Sequence, residues 1–214
     1  MEEMTMIKFE NTEVSGWKAA IRGMRNPMNS WNKSDSYFIS TTEPEIGEND
    51  LDLMTRLSLN GPVHSKYLRM INVTVDITAP LYWWKEFDTY KVGTVANSCS
   101  TMHKIHSKEF ELDDFSHDQL NDIAIDFLKD TIRILNSARE NYLDTKFKHW
   151  WWQMIQLLPS SYNQRRTVQM NYTVLQNIYP NRKNHKLDEW HVFCDWIRML
   201  PHSELITLEG ADDE

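Results

Sequence analysis

The sequence predicts an α+β protein in which an antiparallel or mixed sheet is packed by several helices. Residues 66–78 alternate between apolar and polar side chains, which is the period of a strand with one buried face. Several later segments repeat apolar residues every three or four positions, which is the period of an amphipathic helix. A chain of 214 residues has the length of one compact domain, and we expect that domain to cover residues 1–208.

The first fifty residues predict a short strand, a helix and a long loop. The strand covers residues 5–9, and Ser15 is placed to cap a helix over Gly16–Arg25. Residues 26–50 are rich in Asn, Ser, Pro and Gly, which is typical of a surface loop. Loops of that length often have a function of their own.

The next stretch predicts a helix, a strand and another helix. Asp50 is placed to cap a helix over Leu51–Leu59. The strand at 66–78 is expected to have one polar face that could line a ligand site. Pro80 suits the first turn of a helix, which predicts a helix over Leu81–Tyr90. The buried face of the strand is expected to consist of Ile71, Val73, Val75 and Ile77.

Two capping boxes, each a Ser followed three residues later by a Gln, predict two further helices. Ser116 with Gln119 begins a long helix. Ser161 with Gln164 begins another, which Pro180 is expected to end. The apolar face of the long helix is expected to comprise Leu120, Ile123, Phe127, Ile134, Ala138 and Tyr142.

The aromatic residues indicate a large core or an oligomer interface, because nine Trp are many for this length. Trp150–Trp152 would face all sides of a helix, which we interpret as an inter-subunit contact. A last helix is expected over 187–199, and its apolar stripe is expected to comprise Leu187, Trp190, Cys194 and Ile197.

The composition narrows the class of protein. A net charge of −8 argues against a general nucleic-acid binder, which needs a basic surface. Two cysteines do not make a disulfide framework, so we expect a cytoplasmic protein. No apolar run reaches the length of a membrane span, and we expect no membrane partner. The acidic residues 209–214 are expected to form a disordered tail.

The polar run Asn97–Ser100 holds the candidate catalytic side chains. If a helix begins there, its backbone amides would bind an anion and lower the pKa of the Cys99 thiol. Cys99 is then a candidate nucleophile. The simpler interpretation is a buried, unreactive cysteine.

Two sets of residues have the spacing of metal ligands on a helix. They are Cys99 with His103 and His106, and His191 with Cys194. Zinc sites usually contain tighter, repeated ligand pairs. We therefore expect scattered histidines and no metal site.

Three pieces of the chain share one family's pattern. The strand at 66–78 leads into Ala79-Pro80-Leu81-Tyr82, an Ala-Pro helix start. The segment from Leu158 to Arg182 contains Leu-Pro, then two asparagines and an arginine at fixed spacing. A fainter similarity lies in Ala19-Ala20-Ile21-Arg22. Together these pieces resemble the flavin-dependent thymidylate synthase family.

The chain departs from that family at its hallmark, Arg-His-Arg followed after seven residues by Ser. The corresponding residues are Thr89-Tyr90-Lys91 and Cys99, so Cys99 would occupy the serine position. Glu86 stands where the family has a glutamine near the pyrimidine. Two alternatives therefore stay open: a related modification such as dUMP hydroxymethylation, and a non-catalytic nucleotide-binding or oligomeric protein that has lost FAD.

The resemblance implies reductive methylation of dUMP to dTMP by a homotetramer with active sites at subunit interfaces. It implies FAD as cofactor, dUMP or a related pyrimidine nucleotide as substrate, and NADPH and methylenetetrahydrofolate as co-substrates. Arg165 and Arg166 could replace positive charge that the family's missing arginines supply. The implied catalytic residues are Cys99, Ser98 and Glu86. The implied FAD-binding residues are Asn171, Asn177, Lys91 and Tyr90, and the implied substrate-binding residues are Arg182, Asn97, Ser100 and Arg166.

Overall fold

The computed structural model describes residues 7–38 and 44–209, and its fold is α+β, with an antiparallel sheet and several helices. The strands are β1 (Lys8–Ser15), β2 (Tyr37–Phe38), β3 (Pro44–Glu45), β4 (Asn72–Pro80), β5 (Val95–Ser98) and β6 (Asn163–Asn171). The α-helices are α1 (Trp17–Arg25), α2 (Glu48–Leu59), α3 (Leu81–Phe87), α4 (Thr101–Lys104), α5 (Asp122–Thr145), α6 (Lys148–Leu157), α7 (Tyr172–Arg182), α8 (Asp188–Arg198) and α9 (Glu204–Thr207). Short 3-10 helices cover Asn26–Met28, Trp31–Lys33, Ser65–Met70 and Leu112–Asp114. The predicted fold class is confirmed.

The main sheet has four strands in the order β1-β4-β6-β5, and β2 pairs with β3 in a separate antiparallel ribbon. The predicted central strand is confirmed as β4, although residues 66–70 belong to a 3-10 helix. Its predicted apolar face is fully buried, and that face comprises Ile71, Val73, Val75 and Ile77. The two-residue period therefore identified both the strand and its orientation.

The chain divides into two compact units, and β4 and β6 contribute residues to both. The first unit comprises residues 7 and 8, Ile77–Thr89 and Asn97–Arg166. The second comprises Phe9–Asp76, Tyr90–Ala96 and residues 167–209.

The start of the second unit differs from the prediction in its strand and cap. The predicted strand at 5–9 overlaps only the start of β1, and residues 5 and 6 lie outside the described part. Helix α1 buries Trp17 as expected, but its N-cap is Gly16 and not Ser15. Gly16 has a φ of 94°, and a Cβ there would lie 1.9 Å from the Met70 carbonyl oxygen. Close backbone approach therefore requires glycine at this cap.

The predicted loop at 26–50 contains regular structure, and Asp50 is not a helix cap. Helix α2 begins earlier than predicted, at Glu48. The Asp35 carboxylate caps α2, because it accepts hydrogen bonds from the amides of Asn49 (2.9 Å) and Asp50 (3.1 Å). The Asp50 side chain is fully buried and pairs with Arg25 at 2.6 Å.

The long helix of the first unit begins six residues later than its predicted cap. The side chain of Asn121 caps α5 by accepting from the Ala124 amide, whereas the Ser116 hydroxyl donates to Asn163. The predicted apolar face is also largely wrong, because Ile123 and Phe127 are exposed. The buried face of α5 comprises Leu128, Thr131, Ile132, Leu135 and Ala138. Apolar residues occupy both sides of this helix, so their spacing alone does not identify the core face.

The predicted helix from Ser161 is wrong, because this segment forms β6. Its residues alternate, with Val168 and Met170 buried and the residues between them exposed. Helix α7 then begins at Tyr172, and Pro180 lies inside its last turn and does not end it. The predicted last helix is confirmed as α8, which buries Trp190, Cys194 and Ile197.

The described residues contain no helix with both the length and the apolar character needed to cross a bilayer. Of the predicted tail, only Glu209 is described. It accepts a hydrogen bond from the Tyr179 hydroxyl at 2.7 Å and lies 3.4 Å from the Lys183 ammonium. Residues 210–214 lie outside the described part.

Candidate functional site

The second unit brings three side chains together in what we call the Arg182 cluster: Tyr90, Arg182 and Trp190. Arg182 is the last residue of α7, and Trp190 lies in the first turns of α8. The Arg182 Nε donates to the Tyr90 hydroxyl at 2.8 Å. The guanidinium carbon lies 4.5 Å from the centroid of the Trp190 ring and 5.3 Å from that of Tyr90.

These contacts fix the plane of a partly buried cation. A guanidinium over an aromatic face gains about 0.5–2 kcal/mol, and more as it is desolvated. The planar fork of Arg is well suited to phosphate, which it can bind through two parallel hydrogen bonds. The cluster therefore presents an oriented guanidinium of the kind that recognises a phosphorylated ligand.

The loop before β5 packs on the first turn of α7. Asn171 caps this helix, because its Oδ1 accepts from the Val174 amide at 3.1 Å. A Cβ at Gly93 would lie 3.0 Å from a Val174 methyl carbon and 3.4 Å from the Asn171 side-chain nitrogen. Gly93 also has a φ of 78°, so any other residue there would be both strained and crowded. The glycine lets the backbone of the loop lie against the Asn171 amide.

The other two predicted flavin-binding residues of the second unit lie on its surface. Asn177 and Lys91 are both exposed. The backbone carbonyl of Asn177 accepts a hydrogen bond from the Asn181 side chain at 2.7 Å. Their roles toward a cofactor remain predictions.

The first unit holds Cys99 by its backbone. The Cys99 amide donates to the Arg165 carbonyl at 2.9 Å, and the Cys99 carbonyl accepts from the Gln164 side-chain amide at 2.8 Å. Cys99 is exposed, so the interpretation as a buried cysteine is wrong. The Ser100 hydroxyl accepts from the His103 amide and caps α4, which is only four residues long. The helix predicted here is therefore a single turn that begins after Cys99.

Arg166 is enclosed by three neighbours in the first unit. Its Nη1 lies 2.8 Å from the Asp88 carboxylate, and its Nε donates to the Gln164 side-chain oxygen at 2.9 Å. Its guanidinium carbon lies 4.2 Å from the centroid of the Trp84 ring. Trp84 in turn donates its indole N–H to the Gln164 carbonyl at 2.9 Å. A carboxylate of the protein therefore already balances the charge of this predicted substrate-binding residue.

The remaining predicted catalytic and substrate-binding residues lie around the same part of the first unit. Asn97 and Ser98 are exposed at the end of β5. Glu86 is partly buried in α3, and its carbonyl accepts hydrogen bonds from the amide and hydroxyl of Thr89. Trp150 and Trp151 of α6 pack against the core of this unit, and the inter-subunit contact of Trp150–Trp152 stays a prediction. Trp152 is the most exposed of the three.

A cavity of about 320 Å³ lies within the first unit, which we call the Cys99 cavity. Its wall contains Cys99, the cationic side chains Lys104, Lys108 and Arg165, the acidic side chains Glu109 and Asp114, and the rings of Phe110 and Tyr162. Burial raises the pKa of the Tyr162 phenol, and the neighbouring Asp114 carboxylate raises it further. Tyr162 therefore lines the cavity as a neutral hydroxyl at physiological pH.

Sequence reasoning missed the residues that hold these sites together. Gln164 and Tyr162 were assigned to a helix or its start, so their place beside Cys99 was not foreseen. Trp190 was predicted only as a packing residue. The available signal was the alternation of β6, which places Gln164 on the buried side of the sheet.

The proposed metal spacings do not come together. Among the described residues, no group of three or more His, Cys, Asp or Glu is arranged to hold a metal ion.

The two thiols should differ sharply in reactivity. Burial raises the pKa of the Cys194 thiol to about 11, and Cys194 lies in the core while Cys99 is exposed. We expect iodoacetamide at neutral pH to alkylate Cys99 in the folded protein and to leave Cys194 unmodified, as read by peptide mass spectrometry. Faster labelling of Cys194 would contradict this placement.

Known proteins resemble this chain in structure. No protein-family model matches the sequence, and no curated protein sequence is significantly similar to it. A thymidylate synthase X from Helicobacter pylori, solved with FAD and dUMP, has a TM-score of 0.72 and 17% identity, covering 98% of this chain and 100% of that chain. A second structure of flavin-dependent thymidylate synthase from Helicobacter pylori, also with FAD and dUMP, has a TM-score of 0.68 and 18% identity, covering 96% and 98%.

A third similar structure is a UMP/dUMP methylase from Streptomyces cacaoi, bound with 5-Br dUMP. Its TM-score is 0.60 and its identity 12%, and the match covers 95% of each chain. At such low identities these likenesses establish the fold over nearly the whole chain. The chain therefore has the fold of flavin-dependent thymidylate synthases.

Proposed function

We propose that the protein is an FAD- and folate-dependent enzyme that methylates dUMP to dTMP. The observation that carries this proposal is the Arg182 cluster, an oriented guanidinium at the end of α7, the helix that Asn171 caps and that contains Asn177. Two structures of a thymidylate synthase X of this fold contain FAD and dUMP, which supports the choice of both ligands.

The residues of the second unit are suited to a flavin nucleotide. Gly93 lets its loop lie beside the Asn171 amide, where a Cβ would crowd the Val174 side chain. Asn171 and Asn177 would hold the cofactor by hydrogen bonds, Lys91 would supply a cationic side chain, and Tyr90 would present a ring and a hydroxyl. When bound, FAD would supply the hydride chemistry that no side chain can perform.

The substrate phosphate would be bound by Arg182. Its guanidinium is held over Trp190 and against Tyr90, so little rotamer entropy is lost when an anion binds. In the first unit, Asn97, Ser100 and Arg166 are the proposed further substrate contacts. Ser98, Cys99 and Glu86 are the proposed groups at the reacting ring. The proposed reductant is NADPH, and the proposed assembly is a homotetramer.

One observation favours a second candidate, a nucleotide-binding protein without catalysis. Arg166 is balanced by Asp88, and Tyr90 replaces the histidine of the family's hallmark while accepting a hydrogen bond from Arg182. The first arrangement occupies a proposed substrate contact, and the second occupies a proposed flavin contact. Modified-pyrimidine chemistry such as hydroxymethylation is the closest alternative that keeps catalysis.

The visible spectrum of the purified protein tests the cofactor assignment. We expect the absorption bands of bound flavin, either as purified or after addition of FAD and removal of the excess. A colourless protein that does not retain added FAD would contradict the enzyme and favour the non-catalytic candidate. An Asn171→Ala variant should retain less flavin, with Asn121→Ala, which removes the equivalent cap of α5, as the matched control.

A further inference from the structure

Gln164 of β6 has a buried side chain that lies between two residues of the proposed site. It is 7% exposed, and both ends of its amide form hydrogen bonds. Its Nε2 donates to the Cys99 carbonyl oxygen at 2.8 Å, and its Oε1 accepts from the Arg166 Nε at 2.9 Å. One amide therefore joins a residue proposed to act at the reacting ring to a residue proposed to contact the substrate.

The chemistry of these two partners allows only one orientation of the Gln164 amide. The Cys99 carbonyl can only accept a hydrogen bond, and the Arg166 guanidinium can only donate one. Exchanging the two ends of the amide would bring two acceptors together at Cys99 and two donors together at Arg166. Polar groups without partners in a buried position are costly. Arg166 therefore fixes the orientation of the amide, and that orientation directs an N–H toward Cys99.

Arg166 is itself held by two neighbours besides Gln164. Its Nη1 lies 2.8 Å from the Asp88 carboxylate, and its guanidinium carbon lies 4.2 Å from the centroid of the Trp84 ring. Its Nη2 has no hydrogen-bond partner among the described residues. Because the Arg166 side chain is 14% exposed, this nitrogen is left for the proposed substrate contact.

The backbone of Cys99 is held mainly by hydrogen bonds to β6. Its amide donates to the Arg165 carbonyl at 2.9 Å, and its carbonyl accepts from Gln164. All four residues of β5, which ends directly before Cys99, are exposed, so packing contributes little to its position. The bonds to β6 therefore determine where the exposed Cys99 side chain points.

We propose that Gln164 is a positioning residue that couples the Arg166 guanidinium to the backbone of Cys99. It acts through Cys99 and does not touch the reacting ring. A ligand contact at the Arg166 Nη2 would restrain the guanidinium, then the amide, and with it the position of Cys99. The proposal rests on the proposed function for the roles of Cys99 and Arg166.

Gln164→Glu separates positioning from packing, because glutamate has nearly the same size and shape. Its carboxylate still accepts from Arg166, but it has no N–H for the Cys99 carbonyl. Hydrogen–deuterium exchange, read by mass spectrometry on a peptide covering residues 95–104, measures the result. We expect exchange at the Cys99 amide to be about tenfold faster, as for loss of one neutral hydrogen bond, and exchange in β4 to be unchanged. Exchange at Cys99 equal to wild type would overturn the proposal, and so would an equal acceleration in β4.

Two further variants complete the exchange experiment. Gln153→Glu makes the same substitution at an exposed residue of α6 in the same unit and should leave exchange at Cys99 unchanged. Arg166→Met should accelerate it, because the Gln164 amide loses the partner that fixes its orientation. Wild-type exchange at Cys99 in Arg166→Met would overturn the coupling to Arg166.

The kinetics of dTMP formation separate this inference from the proposed function. Gln164→Glu should lower kcat by about 10–100-fold, the cost of a misplaced reacting group, and should leave KM for dUMP largely unchanged because Arg182 is intact. A protein that makes no dTMP but shows faster exchange at Cys99 in Gln164→Glu supports the positioning and contradicts the enzyme. A Gln164→Glu variant with the wild-type kcat supports the enzyme and contradicts the positioning role.

Discussion

Replacing Arg182 by Ala should weaken dUMP binding by on the order of 100-fold, the cost of losing a charge-assisted contact to phosphate. Tyr90 and Trp190 orient the guanidinium. Arg182→Lys should therefore recover only part of the dUMP affinity, because lysine keeps the positive charge but cannot form the planar fork. Titration calorimetry of dUMP with wild type and both variants measures the effect.

Arg198 provides a matched control for this substitution. It lies in the same unit, its Nε donates to the Tyr179 hydroxyl at 2.9 Å, and its guanidinium carbon lies 5.3 Å from that ring's centroid. Asp195 and Glu209 balance its charge. Arg198→Ala should therefore leave dUMP affinity unchanged. Equal losses in Arg182→Ala and Arg198→Ala would show that both act through the fold and that Arg182 does not bind phosphate.

Replacing Asp50 by Ala should destabilise the protein by about 3–5 kcal/mol, because it leaves the buried Arg25 without its partner. Asp50 also accepts hydrogen bonds from the hydroxyls of Ser34 and Ser36 at 2.7 and 2.6 Å, so several groups lose their acceptor together. Urea unfolding of wild type and variant gives the change in free energy of unfolding.

Two variants define the origin of that loss. Asp52→Ala removes an exposed carboxylate paired with Arg56 on the same helix and should cost no more than about 1 kcal/mol. The double variant Arg25→Met with Asp50→Leu should recover part of the loss, because no lone buried charge remains. A double variant less stable than Asp50→Ala would contradict the ion pair as the source.

The same carboxylate predicts how stability depends on pH. Burial raises the pKa of Asp50, but hydrogen bonds from Ser36, Ser34 and Arg25 outweigh it and hold the pKa below its usual value of 3.8. A lowered folded-state pKa stabilises the protein above pH 3.8, and this contribution is lost as the pH falls through the folded-state value. The difference in stability between wild type and Asp50→Ala should therefore shrink only below about pH 4.

The local periods of the sequence predicted much of the fold. The alternation of β4 and the stripe of α8 were both confirmed, since each has a single apolar face. The segment after Ser161 forms a strand, and not the predicted helix, because it pairs with β4 and β5 in the sheet. A capping box is a local pattern and carries no information about neighbouring strands. For α5, two apolar faces compete, and only the packed tertiary structure shows which is buried.

The candidate site was predictable only where a family pattern covered it. The spacing of Asn171 and Arg182 predicts that α7 contributes to a ligand site, and the structure places Tyr90 beside Arg182. The partners of Asp50 and Arg166 lie far away in sequence, at Arg25 and Asp88, so no local pattern could reveal them. The lysines of the Cys99 cavity belong to no motif and became visible only through the cavity itself.

Product analysis tests the proposed function most directly. Purified protein is incubated with FAD, dUMP, methylenetetrahydrofolate and NADPH, and the nucleotides are identified by mass spectrometry. We predict FAD-dependent formation of dTMP, with little product from Arg182→Ala and wild-type levels from Arg198→Ala. Recovery of unchanged dUMP from protein that binds both FAD and dUMP would contradict the proposed reaction. Formation of a hydroxymethylated nucleotide would also contradict it and would support the alternative hydroxymethylation.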